Sequence, residues 1–294
     1  MTHIGDMTFA RPDSADVAVL RYAAFPDGAA GGNPAGVVLN AAGFDDATRL
    51  AVAAAVGYSE TAFLEATGRG GEFRVRYFSP LAEVAFCGHA TIAAAVALAE
   101  RRGIGPLLFQ TLAGPVEVNT EEGDAGLTAT LASVPTRTRP ASGDEVAAAL
   151  AALRWRSTDL DPRYPAHVAY AGNEHLVLAV SDRARLAELH YDFDALAALM
   201  AERRWTTLQL VHAHTPLLFS SRNPFPPGGV VEDPATGAAA AAFGGYLRAL
   251  HLVDPPARIT LLQGADMGSP SRLLVDVTAD DDRVRVTGSA RPID

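Results

Sequence analysis

The sequence predicts an α+β protein of two pseudo-symmetric lobes, each a curved mixed β-sheet wrapped, barrel-like, around one central Ala-rich helix. Three observations support this fold class. Short motifs recur about half a chain apart. Two Ala-rich segments are apolar on every face, which is typical of helices enclosed by other elements. Hydrophobic residues make up 49% of the 294 positions, enough for a large buried core.

The repeat is visible in two pairs of motifs. Gly32-Asn33 precedes an apolar run in the first half, and Gly172-Asn173 precedes another in the second half. Gly88 opens one Ala-rich run and Gly237 opens the other. A duplicated chain of this kind places a cleft between its lobes, which is a natural position for a binding site.

The remaining elements are predicted from periodicity and from residues typical of turns and caps. Acidic residues in the first turn favour a helix at 45–56. We also expect helices at 144–153 and 192–203, and strands at 17–25, 36–39, 62–66, 73–78, 272–277 and 283–287. A doubly wound parallel sheet fits less well, because no GxGxxG motif follows a strand.

These elements define the predicted domains. Residues 17–134 form the N-terminal lobe, which a C-terminal strand near 283–294 completes, and residues 141–282 form the C-terminal lobe. Pro135 and Pro140 bracket a polar run that we interpret as the linker between the lobes. Residues 1–16 are expected to be a loose tail.

Composition narrows the possible partners. The chain has 24 basic and 34 acidic residues and a net charge of −10, which argues against nucleic-acid binding. The apolar stretches are too short to span a membrane, and the N-terminus does not resemble a signal peptide. The single cysteine, Cys87, excludes an internal disulfide framework and fits a reducing compartment. We therefore expect a cytoplasmic protein without nucleic-acid or membrane partners.

The two helix entrances are candidate anion sites. Gly88 and Gly237 each lie at the start of a predicted buried helix, where free backbone N–H groups and the helix dipole favour a carboxylate. The alternative is that these glycines only permit tight entry into a packed helix.

Four side chains near these motifs have a structural interpretation, and two of them, His89 and Asp233, also have a functional one. His89 is either a structural histidine or a group that changes charge near neutral pH. Asp233 is either a helix cap or a partner for a substrate ammonium group. Glu60, between a helix and a strand, would ordinarily be solvated, and Cys87 would ordinarily be a small buried hydrophobe.

No metal site is predicted. His212 and His214 share one face of a strand-like segment, but no third ligand lies near them in sequence. The chain contains no CxxC, HExxH, P-loop or GxSxG motif.

Five ordered segments together resemble the phenazine-biosynthesis PhzF-like family. They are GGNPAGVVL (31–39), SETAFL (59–64), RYFSPLAEVAFCGHATIAAA (76–95), EDPATGAAAAA (232–242) and QGADMGSPS (263–271). The resemblance implies the diaminopimelate epimerase-like fold, with two pseudo-symmetric lobes and the site between them. It also implies a cofactor-free enzyme that is commonly a homodimer.

The resemblance also implies roles for individual residues. Glu60 matches the family's catalytic glutamate, and His89 and Asp233 match the polar residues that position the substrate. Gly88 and Gly237 match positions whose backbone binds the substrate carboxylate. We add Ala238, Ser59 and Asn33, which lie in the matched motifs, as expected substrate-binding positions.

Two positions depart from the family pattern. Ala238 stands where the family usually has Ser, and Ser269 stands where an Arg is expected. The resemblance therefore implies the scaffold and the proton shuttle but does not carry over the phenazine substrate.

The predicted function is a cofactor-independent isomerase that moves a proton and double bond in a small cyclic amino-acid-like or carboxylate substrate. Glu60 is expected to act as general acid and base in the cleft between the lobes. Two alternatives remain open: a non-catalytic small-molecule-binding protein on the same scaffold, and an amino-acid epimerase or racemase. Epimerases of this fold use two cysteines, whereas this chain has one.

Overall fold

The computed structural model describes residues 17–123 and 126–294. The predicted N-terminal tail, 1–16, lies outside the described residues. The helices are α1 (Asp46–Val56), α2 (Gly88–Arg102), α3 (Gly143–Leu153), α4 (Arg183–Ala187), α5 (Phe193–Arg203) and α6 (Gly237–Ala249). The strands of the first half are β1 (Leu20–Ala24), β2 (Asn33–Val38), β3 (Thr61–Ala66), β4 (Glu72–Phe78), β5 (Glu83–Val84), β6 (Gly105–Thr111), β7 (Gly114–Gly123) and β8 (Gly126–Ala132). The strands of the second half are β9 (Arg137–Pro140), β10 (His167–Tyr170), β11 (Glu174–Ala179), β12 (Trp205–Thr215), β13 (Leu218–Phe225), β14 (Val230–Asp233), β15 (Ala257–Gln263), β16 (Ser271–Val277) and β17 (Arg285–Pro292).

Eight strands form a closed ring around α2. Their order is β1, β2, β3, β4, β6, β7, β8 and β17, and β17 pairs back with β1. The pairs β2–β3 and β4–β6 are parallel, and the other pairs in the ring are antiparallel. Because a closed ring has no free edge, every strand in it has hydrogen-bonded neighbours on both sides.

The second half repeats this pattern around α6. From β10 the sheet runs through β11, β12, β13, β15 and β16 to β17, with β11–β12 and β13–β15 parallel. The sequence of antiparallel and parallel pairs is thus the same as that from β1 to β8 in the first half. The α+β fold of two pseudo-symmetric curved sheets, each around a central helix, is confirmed.

Both central helices are enclosed, as their composition predicts. All residues of α2 from Ala90 to Leu98 are at most 1% exposed, and the helix contacts β1, β2, β3, β7, β8 and β17. In α6, a glycine lies where the sheet approaches the helix closely. A Cβ atom at Gly244 would lie 2.6 Å from Val275 Cγ1, so glycine is required there. Small side chains therefore set the distance between each sheet and its helix.

Local signals place the outer helices. Asp45 caps α1 by accepting a hydrogen bond from Thr48 N, and Gly57 ends this helix in the left-handed conformation. Ser142 and Glu145 form a capping box at the start of α3. These helices begin within one residue of their predicted starts.

Two predicted segments differ from the observed elements. The segment Pro135–Pro140, which we interpret as the linker between the lobes, lies partly within the sheet, because its residues 137–140 form β9, which pairs antiparallel with β10. Pro135 precedes β9 and Pro140 is its last residue. At both positions the missing N–H donor is tolerated. The strand predicted at 283–287 is β17, which starts at Arg285 and continues to Pro292.

The strand β17 joins the two halves. Its first residues pair with β8 on one side and with β16 on the other, and its last residues pair with β1. These pairings support the predicted division into lobes 17–134 and 141–282, which we retain as a proposal. Among residues 17–123 and 126–294, no helix combines the length and the apolar composition needed to cross a membrane.

Candidate functional site

The N-termini of the two central helices meet head to head. A Cβ atom built on Gly88 would lie 3.5 Å from Gly237 Cα, so the first residues of α2 and α6 are in contact distance. The first intrahelical hydrogen bonds are those from Thr91 N to Cys87 O and from Ala240 N to Thr236 O. The N–H groups that precede them are not used by the helices. Two positive helix ends repel one another, so a bound anion between them would stabilise the arrangement.

Glu60 lies beside these helix ends. It directly precedes β3, and its carbonyl accepts a hydrogen bond from Gly36 N at 3.2 Å, which ties its backbone to β2. Its side chain is only 13% exposed, and its Oε2 lies 3.4 Å from His89 Nε2. The solvated position that composition alone suggests is therefore wrong. Burial raises the pKa of Glu60, although hydrogen bonds with Ser59 and Cys87 oppose this shift.

His89 and Cys87 form the adjoining part of the site. His89, in the first turn of α2, places Nδ1 3.3 Å from Cys87 Sγ and Nε2 3.4 Å from Ser59 Oγ. Burial lowers the pKa of His89, and the charge of Asp233 opposes that effect. Burial and the nearby Glu60 carboxylate raise the pKa of the Cys87 thiol well above its ordinary value. At neutral pH these effects favour a neutral imidazole and a protonated thiol.

Asp233 faces the site from the end of β14. Its Oδ1 accepts a hydrogen bond from Asn33 Nδ2 at 2.7 Å, and its Oδ2 accepts one from the Thr236 hydroxyl at 2.5 Å. Gln263 Nε2 donates to the Asp233 backbone carbonyl at 2.7 Å. Burial raises the pKa of Asp233 to about 6, with Glu60 adding to the shift and His89 opposing it. The alternative interpretation of Asp233 as a helix cap is not supported. Within the part of the chain that the structure describes, the start of α6 has no side-chain capping bond, and Thr236 N donates to Gln263 Oε1.

A single cavity of about 620 Å³ joins these groups. Of the eight residues predicted as catalytic or substrate-binding, six line it: Glu60, Gly88, His89, Asp233, Gly237 and Ala238. Ser59 and Asn33 do not line the cavity. Ser59 contacts His89 and Asn33 donates to Asp233, so both support residues of the cavity lining without belonging to it. The lining also includes the apolar side chains of Val84, Phe86 and Val116.

One grouping has the geometry of a possible metal site. Glu60, Cys87 and His89 each offer one ligand atom, and these atoms lie within 4.8 Å of one another. The raised pKa of Cys87 works against metal binding, since the thiolate is the form that coordinates a metal. His212 and His214 pack edge to face on β12, with ring centroids 5.0 Å apart.

The sequence did not reveal the C-terminal part of the cavity wall. There the lining includes Asn173, His175, Thr206 and Thr207, contributed by β12 and by the start of β11. The repeated Gly-Asn motif could have identified Asn173, because it is the counterpart of Asn33. No sequence signal marked His175 or the threonines, which read as ordinary strand residues.

Comparisons with known proteins identify chains that are similar to this one in sequence and in fold. A family model described as "Phenazine biosynthesis-like protein" matches residues 22–293. The chain is 32% identical to "Uncharacterized isomerase YddE" of Escherichia coli K12 over 270 residues, which cover 88% of this chain and 90% of the relative. It is 28% identical to "Trans-2,3-dihydro-3-hydroxyanthranilate isomerase" of Pseudomonas chlororaphis, with the same coverage. The crystal structure of a PhzF-family phenazine biosynthesis protein from Bacillus anthracis is similar in fold, with a TM-score of 0.83, 24% identity and coverage of 94% of this chain and 96% of that one.

Proposed function

We propose a proton-transfer mechanism for this chain, which belongs to the phenazine biosynthesis-like protein family and is an isomerase. In this proposal it moves a proton and a double bond within a small cyclic amino-acid-like or carboxylate substrate, and Glu60 is the proton shuttle. The observation that carries the proposal is the position of Glu60. Its largely buried carboxyl group lies at the wall of a cavity into which two helix N-termini also open.

The environment of Glu60 suits a group that both takes and returns a proton. Burial raises its pKa towards neutrality, so the carboxylate gains basicity and the carboxylic acid remains accessible. His89 Nε2, at 3.4 Å, orients the carboxyl group without fully neutralising it, because burial keeps the imidazole mostly uncharged.

The proposed reaction has two proton transfers. Glu60 as the carboxylate removes an allylic proton, and the electron pair of the broken C–H bond delocalises into the neighbouring double bond. The carboxylic acid proton of Glu60 exchanges with solvent while the intermediate is bound, and Glu60 then delivers a proton to a different carbon on the same face, which regenerates the carboxylate. No net proton is gained or lost, so one residue suffices.

The opposed helix ends and Asp233 suggest how the substrate is held. Backbone N–H groups at Gly88 and Gly237 would bind a carboxylate and stabilise negative charge that develops near it. The Asp233 carboxylate, already anchored by Asn33 and Thr236, would hold an ammonium group. Ala238 lines the same cavity with a methyl group, so no hydroxyl is available at this position to contact the substrate.

The direct test uses Glu60→Gln, which keeps the shape of the side chain and removes its basicity. The probe is trans-2,3-dihydro-3-hydroxyanthranilate, the compound in the name of one relative. Deuterium incorporation from D₂O into the bound probe is followed by NMR. Glu188→Gln is the matched control, because Glu188 has a 71% exposed side chain and lies outside the cavity lining.

We expect the wild type and Glu188→Gln to incorporate deuterium, and Glu60→Gln to be slower by about 10²–10⁴-fold while still binding the probe. A wild-type rate in Glu60→Gln would reject Glu60 as the shuttle. Binding without deuterium incorporation in the wild type would instead favour the non-catalytic binding protein, for which the missing hydroxyl at Ala238 is the supporting observation. A two-thiol epimerase remains the less favoured alternative, because Cys87 is the single cysteine.

We also propose that the chain acts as a homodimer in the cytoplasm. The dimer is proposed from the family resemblance and the compartment from the single, unpaired Cys87. Sedimentation equilibrium at micromolar concentration would test the first point, and a monomer there would contradict it.

A further inference from the structure

A second set of polar groups lines the cavity at its C-terminal wall, where β11 and β12 contribute. His175 on β11 and Thr207 on β12 are neighbours in the parallel register, and both line the same cavity as Glu60. Behind them lie Gln209 and Asn223. All four residues are at most 1% exposed, so each polar atom needs a partner from within the protein or from a ligand.

Hydrogen bonds join these four residues. The Asn223 amide group donates to Gln209 Oε1 at 2.8 Å and to Thr207 Oγ1 at 3.2 Å. Thr207 Oγ1 and His175 Nδ1 share a hydrogen bond at 2.8 Å. The Nδ1 atom of the imidazole is thus occupied within the protein, and Nε2 is the ring nitrogen left for another partner.

This arrangement leaves three polar atoms without a hydrogen-bond partner. Within the described residues, these buried atoms are His175 Nε2, Gln209 Nε2 and Asn223 Oδ1, and of the three residues only His175 lines the cavity. A buried polar atom without a partner is unfavourable, and buried polar groups of native proteins are nearly always paired. A hydroxyl group of a ligand in the cavity would satisfy His175 Nε2, because a hydroxyl can both donate and accept.

The charges around His175 indicate whether a neutral or a charged ligand oxygen fits there. Burial lowers the pKa of His175 to about 4, so the imidazole is neutral at pH 7. Arg283, the arginine in the cavity lining, is already paired with Asp281 and Glu117, at 3.2 and 3.3 Å. A neutral oxygen is therefore better suited to this wall than a second carboxylate.

We propose that His175 is a specificity-determining residue whose Nε2 atom binds an uncharged oxygen of the substrate, such as a ring hydroxyl. Thr207 is the positioning residue that holds the imidazole through Nδ1. This inference rests on the proposed function, since it assumes that the substrate occupies the same cavity. It adds to that proposal a substrate with two polar ends: a carboxylate at the helix N-termini and an uncharged oxygen at the C-terminal wall.

The test compares ligands that differ by one hydroxyl group. Anthranilate and its 3-, 4- and 5-hydroxy derivatives are titrated by calorimetry into the wild type, His175→Leu and Thr207→Val. We expect the wild type to bind at least one hydroxylated probe about 2- to 10-fold more tightly than anthranilate, as one net hydrogen bond would give. His175→Leu should lose this preference while its affinity for anthranilate stays within about 2-fold of the wild type.

The ratio of the affinities for a hydroxylated probe and for anthranilate distinguishes a lost contact with the hydroxyl group from a general loss of structure. A general loss of structure would weaken all four ligands together, and if His175→Leu does not fold, Thr207→Val carries the same expectation of a reduced preference. The proposal is overturned if the preference survives in the folded variants, or if no hydroxylated probe binds the wild type more tightly than anthranilate. Glu60→Gln should retain the preference. Wild-type deuterium incorporation in Glu60→Gln together with a His175-dependent preference would reject the proton shuttle alone.

Discussion

Asp233→Asn should change how stability depends on pH. The Asp233 carboxyl group has an ordinary pKa of 3.8 and a pKa of about 6 in the fold, because it is buried. Between these values the folded state holds a proton that the unfolded chain has released. The stability that this protonation confers is complete below pH 3.8 and is lost as the pH rises through 6. The difference of about two pKa units corresponds to about 3 kcal/mol.

The measurement is urea unfolding of the wild type and of Asp233→Asn at constant ionic strength between pH 4 and 7.5. Asparagine has no titrating proton, so the contributions of all other groups largely cancel in the comparison. Part of the contribution is already lost at pH 4, so we expect the free energy of unfolding of the wild type to fall by about 2.5 kcal/mol relative to that of the variant across this range. Parallel curves would refute the inference that Asp233 is buried as an ionisable group. Glu60→Gln should shift the fall to lower pH, because the Glu60 charge contributes to the raised pKa of Asp233.

Three further predictions concern the site and its support. In Gly88→Ala the added Cβ would meet Gly237 Cα at 3.5 Å, an ordinary contact, so the melting temperature should be preserved; anthranilate binding measured by calorimetry should weaken, and unchanged affinity would argue against an anion site there. Glu232→Gln removes the charge that pairs with the buried Arg222, so urea unfolding should show a loss of about 3–5 kcal/mol, and a loss below about 1 kcal/mol would mean that the arginine is solvated. Cys87 should react slowly with iodoacetamide in the native state at pH 7, because burial raises its pKa; mass spectrometry showing the rate of the unfolded chain would contradict that burial.

The fold was largely predictable from the sequence because its signals are local and repeated. Ala-rich runs without a polar face indicated the two enclosed helices, and Asp45 marked the start of α1 to within one residue. The strand within Pro135–Pro140 was not predicted because prolines commonly interrupt strands. Here β9 needs only its few residues to pair with β10, and that pairing depends on a partner distant in sequence.

The candidate site was predictable in part for a related reason. Gly88, His89 and Asp233 lie in motifs at helix entrances, and the duplication indicated that those entrances face one another. The burial of Glu60 could not be read from its neighbours, since it results from tertiary packing of β2, β3 and α2. His175 was not predicted as a site residue. Its ring is oriented by a hydrogen bond with Thr207 on the adjacent strand, and that contact between distant positions cannot be read from an isolated histidine in a strand.

The strand shared by the two halves has a consequence for the order of folding. Thr130 in β8 and Thr287 in β17 share a hydrogen bond although they are 157 positions apart. During synthesis, the ring of the first half therefore stays open until β17, its eighth strand, has been made. Until then β1 and β8 expose edges without hydrogen-bonded partners. Such long-range closure predicts slow assembly and a nascent chain that benefits from chaperone protection.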